Sequence, residues 1–153
     1  MIFKRINRTD PEQVFVVIKN SYAAASLTNG QAVQWDFGTD VDGVGVTRPT
    51  ARATNRGFAT AGIISETITA GEFGLMQVYG YHSAVRVRAC SSEHTIAAGS
   101  PLQINLAGSA FCLEPICTAT GTTVNHVTFP CAIAFEAYTS WTTTTIKAFV
   151  KAL

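Results

Sequence analysis

The sequence predicts an all-β protein, and three observations support this prediction. Runs of β-branched and aromatic residues are short and are separated by Gly, Asn, Asp and Thr-Gly pairs, which is typical of a β-barrel or β-sandwich. Helical periodicity is scarce. A turn phrase also recurs, in which an apolar residue precedes two small or polar residues, a glycine and a strand. It begins at Leu27, Ile68 and Ile96, and the glycine supplies a backbone angle that other residues resist.

Four strands are expected in the first half of the chain. Each is a run rich in β-branched or aromatic residues that ends at turn residues. They are Val14–Lys19, Ala32–Trp35, Val44–Thr47 and Gly74–Tyr81. Between the first two, Ser21–Ser26 has room only for a short helix.

The second half is expected to add five strands. They are Ala84–Arg88, Leu102–Leu106, Ala110–Leu113, Cys131–Ala137 and Thr145–Lys151. In the first of these, Val85 and Val87 face one side of the strand and the two arginines face the other. Gly80 to Ser83 is predicted to form the turn before it.

Charged residues are scarce and unevenly placed. They make up 14% of the chain, where about 25% is usual, and no Lys or Arg lies between Arg88 and Lys147. The net charge of +1 provides no long-range field for nucleic acid or an anionic membrane, and 47% hydrophobic residues exclude a disordered chain. The composition suits either a small neutral β-domain or a subunit whose surface is covered in an assembly.

The sequence predicts neither a signal peptide nor a membrane span. The longest early apolar run is Val14–Ile18, whereas a signal-peptide core needs at least about seven residues and a spanning helix about 18. We therefore expect synthesis and folding in the cytoplasm. There, the four cysteines at 90, 112, 117 and 131 would be reduced.

No arrangement of residues predicts an enzyme. The histidines are His82, His94 and His126. Glu93-His94 adjoins the candidate nucleophiles Cys90, Ser91 and Ser92, but adjacent residues on an extended chain point to opposite faces and cannot form a triad from that stretch alone. The G-x-S-x-G phrase of a nucleophile elbow is absent from the sequence.

Two sets of residues have the side-chain types of a metal site. Cys112, Cys117, His126 and Cys131 suit zinc by residue type, but their spacing lacks a close cysteine pair. Buried thiols are the commoner outcome, and a disulfide in a mature particle is a further alternative. The carboxylates of Asp36, Asp40 and Asp42 lack the spacing of a calcium loop and are expected to form a solvated acidic loop. We expect no metal or cofactor.

A basic contact is possible at Arg48, Arg52 and Arg56, which recur every fourth residue. On a helix they would form a stripe suited to a phosphate or an acidic partner. Like charges at this spacing repel, however, and the intervening residues are weak helix formers. An exposed connection is the favoured interpretation.

Five phrases together resemble one protein family. In order along the chain they are Asn29-Gly-Gln-Ala-Val-Gln-Trp-Asp36, Ala61-Gly-Ile-Ile64, Ile68-Thr-Ala-Gly-Glu-Phe-Gly-Leu-Met-Gln-Val-Tyr-Gly-Tyr81, Ile96-Ala-Ala-Gly-Ser-Pro-Leu102 and Ala132-Ile-Ala-Phe-Glu-Ala137. In their content and order the chain resembles tailed-phage head decoration, or cement, proteins. The likeness extends from about Leu27 to the C-terminus.

The resemblance implies a β-tulip or β-barrel-like single domain on the outside of an icosahedral capsid. Such a protein would bridge neighbouring major capsid proteins against internal pressure, as a homotrimer or, alternatively, a dimer, after assembly in the host cytoplasm. Neither nucleic acid nor a membrane is an expected partner.

The resemblance also implies that a short extended N-terminal arm binds the capsid. We assign residues 1–20 to this arm and the first strand, and residues 21–153 to the barrel domain. The expected capsid-binding residues are Ile2, Phe3, Lys4, Arg5, Ile6 and Arg8. In extended form, Ile2, Phe3 and Ile6 would anchor the arm as a strand added to a capsid edge.

Two other classes of function remain open from the sequence. The first is another virion part, such as a head-fibre base or a minor tail protein. The second is a displayed carbohydrate-binding module, with Trp35, Tyr79, Tyr81 or Trp141 as its platform.

Overall fold

Strands dominate the computed structural model, which describes residues 12–40, 42–49, 60–89, 95–105, 111–116 and 130–152. Within these ranges the chain forms nine strands and no helix, and therefore no helix that could cross a membrane. The strands are β1 (Gln13–Asn20), β2 (Ala32–Trp35), β3 (Gly45–Thr47), β4 (Thr60–Ile64), β5 (Phe73–Val87), β6 (Pro101–Ile104), β7 (Leu113–Pro115), β8 (Ala132–Ala134) and β9 (Thr144–Lys151).

The strand pairings close two five-stranded barrels that share β5. The first barrel runs β1-β3-β2-β4-β5 and closes through β1–β5, and the second runs β5-β7-β6-β8-β9 and closes through β5–β9. Strand β5 is long enough, at 15 residues, to serve both. The predicted all-β single domain is confirmed.

The two barrels repeat one topology. The first strand of each barrel pairs in parallel with the third, as in β1–β3 and β5–β7. The remaining pairs are antiparallel and follow the same order in both barrels. The repeat extends to single hydrogen bonds, because the N–H of Gly30 donates to the Ile64 carbonyl and the N–H of Gly99 donates to the Ala134 carbonyl, both at 2.8 Å.

The recurring turn phrases have unequal positions in this repeat. Leu27 and Ile68 bond to each other reciprocally at 2.9 Å across the first barrel, whereas Ile96 bonds to Tyr138 at 2.8 Å across the second. Leu27 is thus the equivalent of Ile96, and Ile68 is the equivalent of Tyr138. Leu27, Ile68 and Ile96 are all buried, so the apolar residue of each phrase anchors its turn to the core.

Each barrel encloses its own hydrophobic cluster. The first includes Ile18, Val33, Ile64 and Met76, and the second includes the side chains Val85, Val87, Leu102, Ile104, Leu113, Ile146 and Val150. Full burial of one such side chain is worth about 1.5–3 kcal/mol. Because successive side chains of a strand point to opposite faces, alternate residues of each strand fill its barrel.

The two barrels also contact each other through apolar packing and backbone hydrogen bonds. Ala32 and Ile63 belong to strands of the first barrel but are buried in the second cluster. The N–H of Arg86 donates to the Gly30 carbonyl at 2.8 Å, and the N–H of Ala32 donates to the Phe111 carbonyl at 2.9 Å. The turn at Gly30 therefore packs directly against the second barrel.

The sequence placed most strands correctly but divided β5 wrongly. The turn predicted from Gly80 to Ser83 is not a turn, because β5 continues through it with a shift of register between His82 and Val85. Gly80 has a φ of +102°, and a Cβ there would overlap the Glu12 carbonyl oxygen. The glycine thus marks a close approach of β1, not a chain reversal. The segment Ser21–Ser26 contains a turn and no helix.

Candidate functional site

Several large apolar side chains are exposed on the outer sides of the barrels. On β1, β5, β8 and the chain just after β8 they are Val14, Phe15, Val17, Phe73, Leu75, Ile133 and Phe135. A contiguous apolar surface on a soluble protein commonly marks an interaction site. Two separate groups can be defined.

The first group, which we call the apolar face, consists of Phe15, Val17, Phe73 and Leu75. Val17 lies directly opposite Leu75 across the β1–β5 pair, and Phe73 lies opposite Lys19. Directly opposed residues share a face of the sheet. Val17 is 58% exposed and Phe73 is 63% exposed, so this face of the first barrel is apolar and uncovered.

The second barrel supplies an internal comparison for the apolar face. The Glu66 carboxylate accepts the N–H of Leu75 at 2.8 Å, and the Glu136 carboxylate accepts the N–H of Lys147 at 2.9 Å. Leu75 and Lys147 are therefore equivalent, and Phe73 corresponds to Thr145 two residues earlier. Because the second barrel carries exposed Lys and Thr at these positions, the fold itself does not require apolar side chains there.

The second group, which we call the aromatic cluster, consists of Tyr79, Tyr81, Phe135 and Phe149. The rings of Tyr81 and Phe135 stack with centroids 6.1 Å apart, and the rings of Tyr79 and Phe149 meet edge to face at 5.1 Å. Phe135 is 48% exposed. Pairs of this geometry stabilise one another beyond simple burial, so the cluster is a preorganised surface.

The chain enters β1 beside the aromatic cluster. Val14 pairs with Tyr79, and the Gln13 side chain donates to the Tyr81 carbonyl at 2.7 Å. The predicted capsid-binding residues, from Ile2 to Arg8, lie outside the described residues. The first residues of β1, Gln13 and Val14, lie next to this cluster.

The predicted basic contact is described only in part. Arg48 lies over the Tyr22 ring at 5.7 Å, and that ring meets Phe111 edge to face at 5.3 Å. This cation–π contact gives Arg48 a local packing role. Arg52 and Arg56 lie outside the described residues, so the stripe remains a prediction.

In the acidic loop, the carboxylates of Asp36 and Asp40 accept hydrogen bonds from nearby backbone N–H groups. The Asp40 carboxylate accepts N–H groups from Asp42 at 3.2 Å, from Val44 at 3.0 Å and from Gly45. The Asp36 carboxylate accepts the N–H of Gly38 at 3.3 Å. The described residues contain no group of three or more His, Cys, Asp or Glu side chains placed to hold a metal ion.

Two of the four cysteines are buried free thiols. Cys112 and Cys131 are both buried, and Cys131 belongs to the second barrel's hydrophobic cluster. Burial raises their pKa to about 11 and about 12, respectively. Protonated thiols at neutral pH are poor nucleophiles and poor metal ligands. Cys90, Cys117 and His126 lie outside the described residues, so the proposed four-residue set cannot be assembled from the part described.

The four aromatic residues expected of a carbohydrate platform occupy different environments. Trp35 packs against the first barrel's core, whereas Tyr79 and Tyr81 engage Phe149 and Phe135. Trp141 is 51% exposed in the segment before β9.

Sequence reasoning missed the apolar face, although a pattern indicated it. Val14 to Ile18 is an uninterrupted apolar run. Because successive residues of a strand alternate between faces, such a run must present apolar side chains outwards as well as inwards. Only Val16 and Ile18 pack on the first core.

Comparison with known proteins finds distant similarity to solved structures. No protein-family model matches the chain, and no curated protein matches it. A solved structure, the N base of head fibre gp8.5 in bacteriophage phi29, is similar with a TM-score of 0.47 and 14% identity. The similarity covers 92% of this chain and 96% of that one. A TM-score this low supports no functional inference.

Proposed function

We propose that this chain is a structural protein of a tailed-phage virion. It binds the outside of the capsid and joins neighbouring major capsid proteins. The observation that carries this proposal is the aromatic cluster beside the start of β1, in which Phe135 is exposed and the other three rings are partly exposed. The order of the sequence phrases that resemble decoration proteins supports it.

The architecture suits such a role physically. Each barrel closes through a pairing of its first and last strands, which limits backbone pairing with another chain, so we expect the domain to dock through side chains. Aromatic residues that are already positioned by one another lose little conformational freedom on binding. On a capsid lattice, many weak contacts of this kind hold together through avidity.

The repeat provides a matched variant for testing the aromatic cluster. The N–H of Phe135 donates to the Lys147 carbonyl at 2.9 Å, and the N–H of Ser65 donates to the Leu75 carbonyl at 3.1 Å, so Ser65 occupies the equivalent position in the first barrel. Phe135→Ser therefore introduces a residue that this backbone already accommodates. Phe37→Ser removes an equally large side chain, 73% exposed in the acidic loop, and is the control.

We expect the purified protein to bind capsids prepared without it and to raise their rupture temperature. Phe135→Ser and deletion of residues 1–8 should each weaken binding at least about tenfold, since aromatic anchors dominate protein interfaces. Phe37→Ser should bind normally. Sedimentation with capsids measures binding, and the melting temperature of the free protein checks folding.

Absence of binding to such capsids would refute the proposal. Copy number in virions provides a second readout. Copies in proportion to the major capsid protein support a cement role, whereas a few copies per particle would instead indicate a head-fibre base or a tail part.

A further inference from the structure

We propose that Asn29-Gly30 is a site of spontaneous deamidation that the folded protein keeps closed. An asparagine followed by glycine reacts readily in a flexible chain, because glycine has no side chain to shield its backbone nitrogen from the asparagine amide. This is the only Asn-Gly pair in the sequence, and Asn29 is exposed to solvent. Sequence and exposure alone therefore indicate a reactive site.

The reaction requires only water and a base from the solvent. The Gly30 nitrogen gives up its proton and bonds to the side-chain carbonyl carbon of Asn29, and the amide nitrogen leaves as ammonia after taking a proton from water. Water then opens the resulting succinimide ring. Attack at one ring carbonyl gives aspartate, and attack at the other gives isoaspartate, whose backbone is longer by one methylene group. Either product adds a carboxylate, which cancels the net charge of +1.

The geometry of the turn opposes ring formation. The N–H of Gln31 donates to the Thr28 carbonyl at 3.2 Å, and Gly30 has a φ of +82°, so these four residues form a type II turn. The residue in the place of Asn29 in such a turn has a ψ of about +120°. Ring closure requires the Gly30 nitrogen to lie beside the Asn29 Cβ, at a ψ of the opposite sign. The peptide unit must therefore turn over before Asn29 can react.

Contacts on both sides of Gly30 resist this rotation. Its N–H, which contains the attacking nitrogen, donates to the Ile64 carbonyl at 2.8 Å, and its carbonyl accepts the N–H of Arg86 at 2.8 Å. Gly30 is also buried, and a Cβ there would overlap the Ala84 carbonyl oxygen. Asn29 can therefore react only when the turn has moved away from the second barrel.

The equivalent turn of the second barrel contains Ala98-Gly99. Gly99 has a φ of +86°, and its N–H donates to the Ala134 carbonyl at 2.8 Å, so the backbone arrangement matches that at Gly30. Gly99 is exposed, however, and a Cβ there would meet nothing within 4 Å. Packing against the other barrel therefore distinguishes the turn at Gly30.

The isoaspartate product is incompatible with this packing. The extra methylene group lies immediately before Gly30, whose N–H and carbonyl must meet Ile64 and Arg86 at the same time. A chain that stays open long enough to react to isoaspartate therefore cannot rebuild the contact between the barrels.

The first test follows deamidation of the full chain by mass spectrometry of its peptides, folded and in guanidinium chloride at the same mildly alkaline pH. We expect Asn29 to react in the denaturant and at least about a hundredfold more slowly in the folded protein, in proportion to the fraction of time that the turn is open. Equal rates in the two conditions, or no reaction in the denaturant, would overturn the proposal.

Ala98→Asn provides a matched control within the same molecule, because it places a second Asn-Gly pair in the exposed turn. The two pairs should react at similar rates in denaturant, whereas the new pair should react faster than Asn29 in the folded protein. The melting temperature should match that of the wild type. Equal protection of both pairs in the folded protein would refute the role of the contact between the barrels.

The second test concerns the product. Chains that have reacted to isoaspartate in denaturant should not regain the wild-type melting temperature on refolding. Asn29→Asp, which carries the new carboxylate on a normal backbone, should melt like the wild type, and Asn29→Ala should survive the same incubation and refold. Isoaspartate chains that refold to the wild-type melting temperature would contradict the effect on the barrel contact. Neither test measures capsid binding, so either failure leaves the proposed function intact.

Discussion

At the scale of single residues, two equivalent glycines have different surroundings. Gly30 and Gly99 have φ values of +82° and +86°, a region that side chains resist. A Cβ on Gly30 would overlap the Ala84 carbonyl oxygen, whereas a Cβ on Gly99 would meet nothing within 4 Å. Gly30 is therefore constrained twice, by its backbone angle and by the contact between the barrels.

This contrast predicts unequal costs for the same substitution. Gly99→Ala should lower the free energy of unfolding by about 1–2 kcal/mol, the usual cost of a left-handed angle. Gly30→Ala should cost clearly more, because the turn must also move away from β5. Chemical denaturation of both variants measures the difference. Equal costs would show that the close contact at Gly30 is relieved without penalty.

At the scale of elements, the most informative strand is β5, which belongs to both barrels and is irregular near its centre. The register shift between His82 and Val85 lies where β5 passes from the first barrel to the second. There the His82 side chain is buried, and its Nδ1 accepts the N–H of Ala84 at 3.1 Å. A hydrogen bond with the Ile64 backbone links the imidazole to β4 of the first barrel.

His82 should make stability depend on pH. Burial lowers its pKa below the ordinary value of 6.5, although the hydrogen bond with Ile64 opposes this shift. The unfolded chain then takes up the proton more readily than the folded protein. The stabilisation is therefore complete above about pH 6.5 and decreases as the pH falls below it.

We expect the free energy of unfolding to fall between about pH 7 and 5, and to fall less steeply in His82→Gln. Denaturation curves across this range provide the measurement, and the difference between the two proteins isolates His82 from the other histidines. Identical slopes would mean that His82 takes up its proton equally well in both states.

The elements also show how far the sequence determines the fold. Strand β2 was predicted to the residue, and β1 and β9 to within one residue at each end, because their runs of β-branched residues end at clear turn residues. Strand β4 was recognised only as part of the family resemblance. The sequence did not predict that β5 is continuous, because a glycine such as Gly80 is typical of a turn. The role of Gly80 becomes clear only from its close contact with the Glu12 backbone.

The candidate surfaces were harder to predict than the strands. The alternation of Tyr79 and Tyr81 with other residues was visible in the sequence, but their stacking partners come from β9 and from the chain after β8, more than fifty residues away. The apolar face likewise depends on the pairing of Val17 with Leu75. Such juxtapositions follow from register, which local patterns do not specify.

At the scale of the whole molecule, the duplication and the shared strand have opposite implications for stability. Two barrels with separate hydrophobic clusters suggest two units that unfold independently. However, β5 pairs with β1, β4, β7 and β9, and Ala32 and Ile63 extend the second cluster into the first barrel. Loss of either barrel would thus expose part of the other's core.

We therefore expect both barrels to unfold in one transition. The two tryptophans report on them separately, because Trp35 packs on the first core and Trp141 precedes β9 of the second barrel. Single-tryptophan proteins, Trp141→Phe and Trp35→Phe, should give denaturation curves that coincide with circular dichroism of the same protein. Adding Ile64→Ala in the first barrel or Ile104→Ala in the second should lower the free energy of unfolding by about 2–5 kcal/mol. The decrease should be the same whether it is measured by Trp35 or by Trp141 fluorescence. Separate transitions for the two fluorophores, or a core substitution that shifts only one of them, would show that the shared strand does not couple the barrels.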